Sequence, residues 1–94
     1  MKVLIHIHRR IAHDSDIPGL IASICARAET TIVLEGAAIF CMKRLTDDLH
    51  RLGAVFTLCV EDATEQLPLR RDAERIGRNG LSGLMAHANC LISF

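Results

Sequence analysis

The chain has 94 residues, too few for two hydrophobic cores, so a single domain spanning residues 1 to 94 is expected. Eleven basic and eleven acidic residues cancel, which removes the bulk-charge signature of a nucleic-acid or anionic-membrane binder, and no apolar stretch approaches the ~20 residues of a membrane span. Half of the residues are apolar, yet Trp and Tyr are absent and only three Phe occur. The core is therefore aliphatic, and so much apolar side chain in so short a chain points to surface buried against other subunits.

Residues 2 to 8 form a β-branched, apolar run that reads as a first strand. Asp14, Ser15, Asp16 and Pro18 then make a helix start, and Leu20, Ile21, Ile24, Cys25 and Ala28 fall on one helical face. A near-continuous apolar run over 30 to 34 suits a strand covered on both faces, with Glu35-Gly36 as its exit. Phe40, Leu45, Leu49 and Leu52 keep helical spacing, and Gly53 stands where a helix end takes a left-handed residue. A third strand is expected over 54 to 59. Residues 61 to 66 can start a helix that Pro68 interrupts, and 70 to 78 suit a short polar helix. Asn79-Gly80 signals a turn, residues 81 to 88 a small-residue helix capped by Asn89, and 90 to 94 a last strand.

Alternation of this kind demands right-handed crossovers and a mostly parallel sheet of four to five strands between helix layers, an α/β fold. Reactive groups on such sheets gather outside the carboxyl ends of the strands, which here carry His8, Glu35, Gly36 and Cys59.

Cys59 is the candidate catalytic residue. A thiol at a strand end preceding a helix can lie near unpaired N–H groups that favour thiolate, but Glu61 and Asp62 follow at once and oppose it. A cation from Arg70, Arg71, a histidine or a neighbouring subunit has to tip that balance; otherwise Cys59 is a small apolar core group. His6 and His8 project to one side of the first strand, with His13 just beyond, but no third ligand at recognisable spacing accompanies them, so no metal is expected. Arg70, Arg71, Arg75 and Arg78 form a basic segment that serves either as a solvated helix face or as a docking patch. Cys25, Cys41, Cys59 and Cys90 contain no CxxC pair and are expected as free thiols. No phosphate-cradling glycine loop, nucleophile elbow or HExxH occurs, and no cofactor is expected. The first seven residues lack a signal-peptide core, so a cytoplasmic location is expected.

The stretch Phe56-Thr57-Leu58-Cys59-Val60 resembles the cysteine segment of the DsrE/DsrF/DsrH-like family, which includes the TusD-type sulfur relay proteins. Leu34-Glu35-Gly36 is similar to the family's turn after its second strand, and Leu81-Ser82-Gly83-Leu84-Met85-Ala86 and Cys90-Leu91-Ile92-Ser93-Phe94 to its final helix and strand. The resemblance implies a three-layer α/β/α sandwich assembled into homo- or hetero-oligomers such as trimers or hexamers. It further implies a sulfur carrier that relays sulfane sulfur through a persulfide on Cys59, between donor and acceptor proteins, in intracellular sulfur metabolism or tRNA thiolation. Some shorter members lack an active cysteine, which makes a non-catalytic structural subunit the alternative. Neither a membrane nor a direct nucleic-acid partner is expected.

Overall fold

Five parallel strands form one sheet, and the direction in which the chain crosses it decides where each helix goes. The computed structural model describes residues 1–61 and 73–94. Strand β1 (Lys2–Ile7) leads to helix α1 (Ile17–Cys25) and strand β2 (Glu29–Glu35). A 3-10 segment (Gly36–Cys41) runs into helix α2 (Met42–Arg51), followed by β3 (Thr57–Glu61), β4 (Ala73–Ile76), helix α3 (Arg78–His87) and β5 (Cys90–Ser93). The sheet order is β4-β3-β2-β1-β5, with every pairing parallel. The chain steps from β1 to β4 in one direction, then α3 carries it back across the sheet to β5. Right-handed crossovers that reverse their direction must place their helices on opposite faces. Accordingly α1 and α2 cover one face and α3 the other, giving the α/β/α sandwich.

The two faces are read directly from strand alternation. Val3, Ile5 and Ile7, with Ile32, Leu34 and Leu58, pack beneath α1 and α2 around Ile21, Leu45 and Leu49. Leu4, Val33 and Cys59 face α3 and meet Leu81. The first cluster is much the larger. Among the described residues α3 alone covers the sheet on its side, and Leu91 on edge strand β5 stays about half exposed.

Local chemistry explains most of the boundaries. Pro18 sits in the first turn of α1, while the Ser15 hydroxyl, rather than an aspartate, accepts the Ile17 N–H at 3.1 Å. At the end of α2, Gly53 (φ 77°) donates to the His50 carbonyl and Ala54 to that of Leu49, a paired closure that needs a left-handed residue between them. Gly36 opens the 3-10 segment at φ 60° for the same reason. The variant Gly53→Ala meets no neighbour within 4 Å, so its cost is backbone strain alone. A loss of about 1–2 kcal/mol in urea unfolding, with an unchanged m-value, is expected.

Several expectations are corrected. Residues 73–76 pair with β3, from Leu58↔Ala73 to Glu61↔Ile76, and form a strand, not part of a polar helix. Ala, Glu and Arg are good helix formers, but the open edge of β3 offers a ladder that outweighs propensity. Asn79-Gly80 lies inside α3 rather than in a turn. Asn89 is not the cap of α3 but a clamp on β1: its side-chain oxygen accepts the Lys2 N–H at 2.7 Å and its own N–H reaches the Lys2 carbonyl at 2.8 Å. Phe40 is 70% exposed and Leu52 also faces outward, leaving Leu45 and Leu49 as the buried stripe of α2. The third strand begins at Thr57, not at 54, and runs on to Glu61. The helix expected over 61 to 66, apart from Glu61 itself, and the break at Pro68 lie outside the described residues.

Candidate functional site

Cys59 sits in the middle of β3, two residues short of its end, which corrects its expected position at the carboxyl edge. The strand continues because Val60 and Glu61 are themselves buried and pair with Leu34 and Glu35 of β2. In the register, Cys59 lies between Val33 on β2 and Glu74 on β4. Its side chain points toward α3 into a cluster with Leu4, Val33 and Leu81, ringed by Ile76, Leu84 and Ala88. Only 3% of the residue is exposed.

That environment sets the acidity of the thiol. Removing the sulfur from water disfavours its anion, and the negative charge of Glu74 adds to the effect, so the Cys59 pKa is raised from its ordinary 9.0. The thiolate is the nucleophile in persulfide chemistry, and both causes act against it. A stability consequence follows. Above about pH 9 an unfolded chain sheds this proton while the folded chain keeps it, so the unfolded state binds fewer protons and stability falls as pH rises. Urea midpoints at about pH 7.5 and about pH 10 are therefore expected to differ less for Cys59→Ala than for the parent chain.

Among the other cysteines, Cys25 is half-buried and burial raises its pKa, partly offset by a hydrogen bond with Thr30. Cys41 is buried on the opposite side of the sheet from Cys59, with Sγ 4.0 Å from the Ile11 carbonyl. All four are free, as expected; Cys59 belongs to the cluster under α3, whereas Cys41 approaches Ile11, a member of the other cluster.

The carboxyl ends of β1 and β2 carry a different arrangement. His6 Nε2 lies 2.6 Å from Glu35 Oε2, and Arg78, the first residue of α3, approaches the other oxygen of that carboxylate at 3.7 Å. The rings of His6 and His8 are 5.6 Å apart and tilted. Strand alternation brings this cluster together: His6 and Glu35 both face α3, one step nearer the sheet edge than Leu4 and Val33. The carboxylate fixes the orientation of the imidazole. His8 itself lies just beyond β1 and donates its backbone N–H to Phe94, beside the point where the strand order reverses between β1 and β5.

Of the expected strand-end residues, His8, Glu35 and Gly36 are there, and Cys59 is not. Arg78 is the partner that sequence reasoning missed, because it appeared only as one charge in a basic segment. A Glu35–Arg78 contact spans 43 residues of chain, and no local spacing signals it. Arg75 lies on β4, while Arg70 and Arg71, named as sources of an activating cation, lie outside the described residues. Among the described residues no three His, Cys, Asp or Glu side chains form a metal-binding group, and no helix is long and apolar enough to cross a membrane.

No family model matches the chain, and no curated protein matches its sequence. Its structure is similar to the crystal structure of the ychN protein from E. coli, with a TM-score of 0.68 at 11% identity and 100% of both chains covered. The likeness is one of fold. It extends over the whole sandwich, helices included.

Proposed function

We propose that this chain is an assembly subunit of a DsrE-like, cytoplasmic sulfur-relay oligomer, with Cys59 serving as a packed core thiol instead of a sulfur carrier. The observation that carries this reading is the burial of Cys59 among Leu4, Val33 and Leu81, where desolvation and Glu74 both oppose the thiolate. The sulfur-relay setting comes from the sequence resemblance, and the likeness in fold to ychN is in keeping with it. An assembly role gains support from apolar side chains left in water, Val55 at 83% among them, together with the half-exposed Leu91 on the edge strand β5.

The alternative is the carrier itself, in which a Cys59 thiolate takes sulfane sulfur from a donor protein and passes it to an acceptor. That reading requires α3 to lift from the sheet and a cation to offset Glu74. Exposing the full chain to a low-molecular-weight persulfide donor and mapping the extra sulfur by mass spectrometry separates the two. The assembly reading expects added sulfur on exposed Cys90 and none on Cys59; sulfur retained on Cys59 overturns it in favour of the carrier.

A further inference from the structure

A sizeable cavity among the described residues lies away from Cys59. On the α1/α2 side of the sheet, the loop leaving β1 and the 3-10 segment leaving β2 diverge around the start of α2, enclosing a groove of about 850 Å³. Both walls follow strand carboxyl ends, where parallel sheets place their ligands. The volume falls within the range of small-molecule sites, roughly 300–1,000 Å³.

Its charge is one-sided. Arg10, Lys43, Arg44 and Arg51 line the groove against two aspartates, and His13 joins them. Lys43 is neutralised by Asp47 at 3.2 Å, and Arg51 pairs with Asp48. Arg44 donates to the main-chain carbonyl of Ile11, which satisfies part of its fork without cancelling its charge. Arg10 is exposed, and no carboxylate among the described residues forms an ion pair with it. Among the described residues the groove therefore retains two positive charges, one anchored on α2 and one on the loop after β1. A guanidinium fork matches the oxygens of a phosphate group. Phe40 stands in the same wall with its ring in water, so an apolar or planar body carried by the anion has a surface to cover.

We infer that this groove binds a small phosphate monoester with a planar body, its phosphate held by Arg10 and Arg44 and its body resting on Phe40. This is independent of the role assigned to Cys59, which faces the other helix layer.

The test uses the full chain labelled with nitrogen-15 and adenosine 5′-monophosphate as the probe, with inorganic phosphate and adenosine as separate arms. The monophosphate is expected to shift amide resonances of residues 10–13 and 40–44, inorganic phosphate to shift the same residues at higher concentration, and adenosine to leave them in place. Arg10→Gln, an exposed substitution that does not threaten folding, and Arg44→Gln should each weaken the monophosphate about tenfold. Arg27→Gln, at the opposite end of the sheet, should change nothing. Failure of the monophosphate to shift these residues overturns the inference. So does an equal response to adenosine, which would mark a site for rings alone, or an equal loss in all three variants, which would mark unspecific charge attraction.

Discussion

Ile5→Ala is expected to remove about 2–5 kcal/mol of stability, enough to leave the protein partly unfolded at room temperature if its total lies near the lower end of the roughly 5–14 kcal/mol usual for this length. Ile5 is fully buried on β1, with β2 on one side and β5 on the other, and it faces the larger of the two clusters, under α1 and α2. β1 itself is held by ladders on both sides, so its backbone cannot collapse into the space and the cavity stays open. Val55→Ala removes a side chain that is almost wholly in water, and its effect should lie within about 0.5 kcal/mol. Urea titration of the two variants beside the parent measures the contrast. Equal effects would mean that β1 does not anchor the core.

The second large effect concerns reactivity. At neutral pH a small alkylating agent is expected to modify Cys59 at least about 100-fold more slowly than Cys90, because access requires a local opening that costs roughly 2.7 kcal/mol or more. Cys90 opens edge strand β5 and is exposed, whereas Cys59 lies beneath Leu81 and Leu84 of α3. Cysteine-resolved mass spectrometry over a time course gives both rates. Comparable rates would place the Cys59 sulfur at an accessible surface and return the carrier role to the front.

Much of this architecture is legible in the residues themselves. The β-branched runs that become β1 and β2 can bury both faces and have no competing helical period, so their type and place are fixed locally. Pro18 and Gly53 mark the start of α1 and the end of α2 through backbone restrictions that hold in any context. The segment Ala73–Ile76 is the opposite case. Its residues favour helix when taken alone, and only the unpaired edge of β3 makes it a strand.

The site follows the same division. Alternation along β1 and β2 puts His6 and Glu35 on one face, and the exit at Glu35-Gly36 puts the carboxylate at the strand end. Arg78 reaches them through a crossover spanning the whole sheet, which no nearby residue announces. The placement of Cys59 failed for a subtler reason. Glu61 looks like the first residue of a surface helix, yet it is buried and belongs to β3, so the strand runs two residues farther and draws the thiol inward. The basic groove was invisible for a similar reason, since Arg10 and Arg44 meet only after β1 and β2 are paired.

The state of one proton on Cys59 separates a packing thiol from a sulfur carrier. With Cys25, Cys41 and Cys90 replaced by alanine, the alkylation rate of Cys59 followed across pH reports the acidity of that thiol in the folded protein. A rate that still climbs through pH 9.0 without levelling off, 9.0 being the ordinary thiol value from which burial and Glu74 raise it, is the predicted outcome. An inflection near or below neutral pH would contradict the packing role and mark Cys59 as an activated nucleophile.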